Sequence, residues 1–158
     1  MARNPTSKRR SACPVSISLE ILGDRWSLLI IRDLMVRGFH TFKQFQQAGE
    51  GIASNILADR LQRLVSAGIL ASGTQQSDRR SVHYRLTEKG IDLAPVVLEL
   101  LLWGARHEHT GAPCASIEKM ATNRALILAE VRRRWRENDP TPLQVGGEWR
   151  LPSRAQKR

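Results

Sequence analysis

The chain has 158 residues, of which 41% are hydrophobic and 25% charged, and its formal net charge is +10. These values are typical of one soluble globular domain, and the apolar runs are far too short to cross a bilayer, so we expect a cytoplasmic protein with no membrane segment. The two cysteines, Cys13 and Cys114, form no CxxC pair, which excludes a zinc finger or ribbon, and we predict neither metal nor cofactor.

The positive charge is concentrated at the two ends of the chain. Residues 1–12 carry four basic and no acidic residues, whereas residues 13–110 carry eleven basic and ten acidic ones. We therefore predict a flexible basic arm over 1–12 and a folded domain over 13–110. We also predict a C-terminal helix over 111–138, which serves dimerisation or an accessory role. A disordered tail is predicted over 139–158.

Two helices are predicted at the start of the folded part. The first begins at Pro14 and ends at Gly23, and the second runs from about residue 24 or 25 to Val36. Apolar residues recur in both segments, and glycine is the usual residue after a helix C-terminus. We expect Gly38 to cap the second helix in a left-handed conformation.

A helix-turn-helix arrangement is predicted next. Residues 41–47 suit a short helix because two phenylalanines lie three positions apart, and two glycines then form a turn. Residues 54–67 place Leu57, Leu61 and Leu64 in one narrow apolar stripe. A stripe of this width holds one side of the helix to a core and leaves the opposite side free, as in DNA-binding helix-turn-helix domains.

A β-hairpin and two further helices follow. Residues 70–76 and 81–86 are predicted as strands joined by a polar turn. Thr87 is placed to cap a helix that ends near residue 107, and Pro95 either bends that helix or marks its start. One more amphipathic helix is predicted over 116–137. The fold class is therefore mainly α with a small β-hairpin: a winged helix-turn-helix domain with an additional C-terminal dimerisation helix.

The free side of the helix over 54–67 suits the major groove of duplex DNA. Asn and Gln can pair with adenine, Asp accepts from cytosine N4, and Arg reaches guanine or a phosphate. The alternative is that these side chains are simply hydrated, because any exposed helix displays residues of these types. On a helical wheel, the candidate contact residues on or beside this side are Ser54, Asn55, Ala58, Asp59, Arg60, Gln62, Arg63 and the outermost Ser66.

The hairpin tip adds a second candidate contact. Arg79 and Arg80 are adjacent at the predicted turn, where they gain little packing, and Ser81 follows them. A narrow minor groove concentrates negative potential, so we expect these arginines beside or in it. A solvated turn in which Asp78 pairs locally is the alternative. The candidate phosphate contacts are Thr41, Lys43 and Arg60.

Five short segments occur in a characteristic order over residues 13–107. They are Cys13-Pro14-Val15, Ile21-Leu22-Gly23-Asp24-Arg25-Trp26, Leu29-Ile30-Ile31-Arg32-Asp33-Leu34, the Arg60-Leu61 and Gly68-Ile69-Leu70 pattern of residues 57–70, and Tyr84-x-Leu86-Thr87-Glu88-Lys89-Gly90. This set resembles the HxlR family of bacterial winged-helix regulators. The resemblance implies a homodimer, formed by the helices at both ends of the domain, that represses or activates transcription. It also implies double-stranded DNA with a pseudo-palindromic operator as the partner.

Several positions depart from the family pattern. Ala53 stands where the family often has serine, so we expect Ser54 to cap the following helix, and Ala58 replaces a common hydroxyl. The sequence Asp78-Arg79-Arg80 resembles the wing of the MarR family, which is the nearest alternative. Both families bind duplex DNA, so the expected function class is the same.

Other readings of the chain remain open. Cys13 occupies the family's N-terminal cysteine position, which predicts thiol-based redox sensing as an alternative function. A winged-helix module that binds protein is a second alternative, whereas no nucleophile triad, phosphate loop or metal spacing supports an enzyme. A small-molecule effector of unknown identity would bind between the domain and the dimerising helices. The arginine-rich run over 132–136 is expected to be a solvated helix face, with phosphate contact as the alternative.

Overall fold

The computed structural model gives the structure of residues 11–75 and 78–143, without the side chains of residues 75–80. The first half is helical, and its second helix continues into a π-helical turn, Asp33–Arg37. The remaining elements of this half are α1 Pro14–Leu22, α2 Ser27–Arg32, α3 Phe42–Gln46 and α4 Ser54–Ser66.

The second half begins with an antiparallel hairpin and ends with four helices. The hairpin strands pair from Leu70 opposite Leu86 to Thr74 opposite Val82, with an irregularity after Thr74. The elements are β1 Leu70–Gln75, β2 Asp78–Leu86, α5 Glu88–Ile91, α6 Ala94–His107, α7 Cys114–Thr122 and α8 Arg124–Glu137.

The helix ends predicted at Gly38, Thr87 and Pro95 are confirmed. Gly38 follows the π-helical turn with φ at 68°, and a Cβ built there would lie 2.1 Å from the Pro140 carbonyl oxygen. Both the left-handed conformation and the close approach therefore require glycine at this position. Thr87 caps α5 by accepting a hydrogen bond from the Gly90 N–H, and Pro95 lies in the first turn of α6, where it marks the start.

Two predicted element boundaries differ from the structure. The strand β2 begins at Asp78 rather than Ser81, so the backbone of Arg79 and Arg80 lies in the strand. Ala53 is the N-cap of α4 and Ser54 is already helical, so the cap predicted for Ser54 is wrong. Sequence patterning did not reveal either difference because strand pairing and helix entry depend on contacts outside the segment.

The prediction of a single helix over 116–137 is also wrong. It is two helices, α7 and α8, with a break at Asn123, whose backbone leaves the helical region. The Asn123 side chain donates a hydrogen bond to the Lys119 carbonyl oxygen, which also accepts from the Asn123 backbone N–H at 3.1 Å, so both groups of Asn123 close the end of α7. The break turns α8 back along α6 and the π-helical turn.

One apolar core holds the helix-turn-helix and the hairpin together. Leu57, Leu61 and Leu64 of α4 are essentially inaccessible to water, and Ile31 of α2 is equally buried. A second, smaller cluster joins α6 to α7. Burial of such side chains contributes about 1.5–3 kcal/mol each, so the α4 stripe fixes the orientation of that helix.

The C-terminal segment packs against the domain beyond the predicted boundary at residue 139. Residues 139–143 follow α8, and the Leu143 N–H donates to the Val36 carbonyl oxygen at 2.7 Å. Residues 144–158 of the predicted tail and residues 1–10 of the predicted arm lie outside the described residues. None of the helices in the described ranges combines the length and the apolar character that a bilayer crossing requires.

Candidate nucleic-acid interface

The short helix α3 is fixed at its start by a reciprocal cap. The Gln44 N–H donates to Thr41 Oγ1 at 3.4 Å, and Gln44 Oε1 accepts from the Thr41 N–H at 3.0 Å. This capping box satisfies backbone donors that a helix start leaves free. Thr41, one of the candidate phosphate contacts, is therefore occupied as the cap of α3. Lys43, another candidate, lies in the first turn of α3 and is exposed.

The helix α4 presents the face that the leucine spacing predicts. Its three leucines are buried, and the opposite side is open to solvent along the whole helix. The structure therefore brings most of the candidate contact residues onto one convex surface. The exposed members are Ser54, Asn55, Ala58, Asp59, Gln62, Arg63 and Ser66.

The two arginines of α4 have different environments. Arg63 has 66% of its side chain exposed and pairs with Asp59 at 3.1 Å. Arg60 is only 20% exposed and lies 3.5 Å from Asp24 and 3.7 Å from Asp59. Its Nε atom is shielded from water and has no hydrogen-bond partner among the described residues. Arg60 thus joins α4 to the loop before α2. Arg63, in contrast, is held only by an ion pair that is open to solvent.

Asp24 is a positioning residue that was not among the contact residues predicted from the sequence. Its carboxylate accepts hydrogen bonds from the Trp26 N–H at 2.8 Å, the Ser27 N–H at 3.0 Å and the Ser27 hydroxyl. Burial alone raises the pKa of the Asp24 carboxyl, but these hydrogen bonds and the Arg60 charge together hold the pKa below its usual value. The signal in the sequence is Asp-x-x-Ser at a helix start, which is typical of local side-chain capping.

A buried charge cluster supports the turn between α3 and α4. Asp33 is 3% exposed and lies 2.8 Å from Arg32 and 3.4 Å from Arg37. Arg32 also pairs with Glu50 at 3.1 Å, and Arg37 donates to the Ala48 carbonyl oxygen at 2.9 Å. Burial raises the pKa of Asp33 despite the two neighbouring positive charges. The cluster ties the π-helical turn to the loop that sets the angle of α4.

The hairpin is attached to the start of α3. Thr41 forms an isolated β-bridge with His83, and the Tyr84 N–H donates to the His40 carbonyl oxygen at 2.7 Å. The Tyr84 and Phe45 rings pack edge to face at 6.2 Å. Ser81 is half-buried, while the side chains of Arg79 and Arg80 lie outside the described residues. The base of the wing therefore has a fixed position relative to α3 and α4.

The first and sixth helices each expose apolar side chains. No residue of α1 is buried, and Val15 and Leu19 are exposed on it. On α6, Val96, Leu100 and Trp103 are exposed at helical spacing. We call these five side chains the α1/α6 surface. Exposed apolar residues in such groups are typical of protein interfaces.

Both cysteines are exposed free thiols. Cys13 immediately precedes α1, and its carbonyl oxygen accepts from the Ile17 N–H. Cys114 is the first residue of α7. In the part of the chain that the structure describes, no three His, Cys, Asp or Glu residues are grouped as a metal site would require.

Comparison with known sequences finds a matching family profile and relatives that are named transcriptional regulators. The sequence profile described as HxlR-like helix-turn-helix matches residues 21–111. Over 106 residues the chain is 36% identical to an uncharacterised HTH-type transcriptional regulator of Mycobacterium bovis, covering 66% of this chain and 65% of that protein. It is 30% identical over 95 residues to YybR, an uncharacterised HTH-type regulator of Bacillus subtilis, covering 60% of this chain and 75% of YybR. The matched region is thus slightly under two thirds of the mycobacterial relative.

Comparison with solved structures gives the same fold. PA1607 superposes with a TM-score of 0.61 at 37% identity, covering 68% of this chain and 74% of that one. The oxidised form of the redox regulator HypR has a TM-score of 0.56 at 28% identity, over 62% of this chain and 100% of that one. The reduced regulator YodB of B. subtilis has a TM-score of 0.52 at 32% identity, over 65% and 100%. These similarities cover between 62% and 68% of this chain.

Proposed function

Because the chain belongs to the HxlR-like helix-turn-helix family, we propose that it is a transcriptional regulator that binds specific double-stranded DNA through α4. The observation that carries the proposal is the exposed polar side of α4 opposite its buried leucines. In the proposed complex, Asn55 and Gln62 read adenine edges and Asp59 accepts from a cytosine amino group. Arg63, released from Asp59, reaches a guanine or a phosphate.

The wing and α3 supply contacts to the DNA backbone in this proposal. Lys43 is exposed at the start of α3, next to the helix-turn-helix turn. Arg79 and Arg80 follow the hairpin turn, where a minor groove would be reached. Arg60 supports α4 through its ion pairs, and Thr41 supports α3 through its cap. Phosphate contacts set affinity and salt dependence, whereas the α4 contacts set sequence preference.

We further propose that the α1/α6 surface is covered by a second copy of the chain. Leu19 and Leu100 are about half exposed or more, although leucine is normally buried in soluble proteins. A symmetric dimer would bury the same surface on both copies and place two α4 helices in successive major grooves of a pseudo-palindromic site. Occupancy of such a site near a promoter represses transcription by excluding the polymerase.

The DNA-binding proposal is tested by fluorescence anisotropy with a duplex from the chain's own promoter region and a scrambled duplex of equal composition. Gln62→Ala should reduce discrimination between matched and substituted duplexes by about 1–3 kcal/mol per lost base contact. Lys43→Ala should instead weaken binding to both duplexes equally. Lys119→Ala removes an equally exposed cation from α7 and should leave both affinities unchanged.

Equal binding of the wild type to both duplexes, with no loss in Gln62→Ala, would contradict sequence-specific recognition. Failure to bind either duplex, together with capture of a protein partner by the α4 surface, would favour the protein-binding module.

The dimer proposal is tested by sedimentation velocity. Leu19→Glu and Leu100→Glu each place a charge on the α1/α6 surface and should convert the dimer to a monomer. Leu126→Glu is the matched control, because Leu126 is 69% exposed on α8, outside that surface. A wild-type chain that stays monomeric at micromolar concentration would contradict the proposal.

Redox sensing by Cys13 is a second candidate function. The thiol is exposed at the start of α1, beside the proposed dimer surface, so oxidation there would act on the dimer. The structurally similar HypR is a redox regulator.

A further inference from the structure

The wing is a two-stranded hairpin, and its position depends on contacts with other elements. A hairpin of two strands is only marginally stable by itself in water. On β2, the Tyr84 N–H donates to the His40 carbonyl oxygen at 2.7 Å, and His83 forms an isolated bridge with Thr41. These two contacts attach β2 to the segment in which α3 begins.

Trp135 of α8 provides a second attachment for β2. Its indole N–H donates to the Leu86 carbonyl oxygen at 2.8 Å. Arg85 donates from Nη2 to the Trp135 carbonyl oxygen at 2.8 Å, and its guanidinium lies over the Trp135 ring, 5.5 Å from the ring centroid. We call these three interactions the Trp135 contact.

The Trp135 contact continues the edge of β2 that α3 holds. Backbone groups of residues two positions apart in a strand point to the same edge. The Tyr84 N–H points to His40 rather than to β1, so the Leu86 carbonyl oxygen also points away from β1, and there it meets Trp135. A strand held at one point can pivot, whereas two attachments along one edge fix its direction. The hairpin is therefore oriented by α3 and α8 together.

The helix α8 is a firm support for this contact. Val131, one turn before Trp135, is 6% exposed and belongs to the main apolar core. Arg132 pairs with Asp92, which follows α5, and beyond the helix the Leu143 N–H donates to the Val36 carbonyl oxygen. Because α8 lies after residues 21–111, which the family profile matches, it adds a wing contact that the matched region does not itself supply.

A small rotation at the base of the hairpin has a large effect at its tip. The backbone of Arg80 precedes Leu86 on β2 by a distance of about 20 Å, at about 3.3 Å per residue. A tilt of about 10° at the base would therefore move the tip by about 3.5 Å. This displacement is as long as a hydrogen bond, so a phosphate contact made from the tip requires a fixed base.

We propose that Trp135 is a positioning residue for DNA binding, which holds the wing at the angle at which Arg79 and Arg80 meet the DNA backbone. This role rests on the proposed function, because it requires that the wing contacts DNA. Trp135 does not touch DNA in the proposed complex and acts only through β2. The C-terminal helix thereby controls the affinity of the helix-turn-helix domain for duplex DNA.

The test is anisotropy titration of labelled duplexes with Trp135→Phe, which keeps a ring beneath Arg85 and removes the indole N–H. Binding to the matched and the scrambled duplex should weaken by about threefold to tenfold, the size expected when binding has to restore one hydrogen bond. In a chain that already carries Arg79→Ala and Arg80→Ala, the same substitution should have no further effect, because that wing no longer contacts DNA. Ile127→Val is the matched control: it shortens a side chain of α8 that packs on the two apolar clusters, and it should leave both affinities unchanged.

Hydrogen exchange without DNA gives an independent readout. Backbone amides of β1 and β2 should exchange faster in Trp135→Phe than in the wild type, and at the wild-type rate in Ile127→Val. The proposal is refuted if Trp135→Phe binds both duplexes like the wild type, or if it weakens the chain without wing arginines as much as the chain that has them. Equal exchange in the wild type and Trp135→Phe would refute the attachment of the wing itself. If the wild type does not prefer the matched duplex, the proposed function fails, while the exchange comparison still decides whether Trp135 holds the wing.

Discussion

Replacing Asp24 with alanine should destabilise the fold far more than replacing the other aspartate that contacts Arg60. Asp24 accepts three hydrogen bonds at the start of α2 and lies 3.5 Å from Arg60. Asp59 is itself half exposed and makes two ion pairs, at 3.7 Å to Arg60 and 3.1 Å to Arg63. The two carboxylates therefore share one arginine but differ in burial and in the donors that they satisfy.

The magnitudes follow from these contacts. Ser27 is 1% exposed, so Asp24→Ala leaves its N–H and its hydroxyl buried without an acceptor. An unsatisfied buried group costs about 1–3 kcal/mol, and Asp24→Ala should therefore lower the free energy of unfolding by about 2–3 kcal/mol. Exposed ion pairs contribute about 0–1 kcal/mol, so Asp59→Ala should cost about 0.5 kcal/mol or less.

The pH dependence of the Asp24 contribution has a definite sign. The pKa of Asp24 in the folded state is below its ordinary value of 3.8, so the fold favours the ionised carboxylate. Its stabilisation is fully present above 3.8 and is lost as the pH falls through the lowered folded value. The difference in unfolding free energy between the wild type and Asp24→Asn should be constant from neutral pH to about pH 4 and should narrow below it.

Urea unfolding followed by circular dichroism at one fixed protein concentration measures both effects. The concentration must be fixed because a dimer gains stability with concentration. The reasoning is refuted if Asp24→Ala and Asp59→Ala unfold at the same urea concentration. It is equally refuted if the difference between the wild type and Asp24→Asn grows as the solution is acidified.

Two further predictions concern DNA binding. The double substitution of Arg79 and Arg80 by alanine should weaken binding to every duplex and reduce the slope of log K against log salt by up to about 2, as anisotropy at several salt concentrations will show. Unchanged affinity at every salt concentration would exclude a role for the wing arginines. Cys13→Ser should make DNA binding insensitive to diamide, whereas Cys114→Ser should remain sensitive; equal sensitivity of the two variants would contradict sensing at Cys13.

The helix-turn-helix could be predicted from sequence because its determinants are local. The leucine spacing of α4 specifies which side is buried, since each turn of a helix repeats the same contact with the core. Gly38 and Thr87 mark helix ends because their backbone conformation or side chain serves the helix itself. The exposure of Asn55 and Gln62 follows from the same geometry.

Features that depend on distant partners could not be predicted in this way. The amphipathic pattern over 116–137 continues through Asn123, so the break between α7 and α8 leaves no mark in the periodicity. The arginine-rich run was expected to be a solvated face, yet Arg134 is buried and Arg132 half-buried, and only Arg133 of these three is exposed. Arg132 and Arg133 are paired with carboxylates. Sequence gives the charge of these side chains but not which of them α8 turns toward the wing.

The sequence by itself determined that the chain carries a winged helix-turn-helix with a polar outer surface on α4, because hydrophobic periodicity and caps act within one element. Only the tertiary structure decided that Asp24 lies beside Arg60 and that Trp135 of α8 donates a hydrogen bond to the Leu86 carbonyl oxygen of β2. These contacts join segments far apart in the chain, and their energies depend on burial and distance, which no single segment encodes.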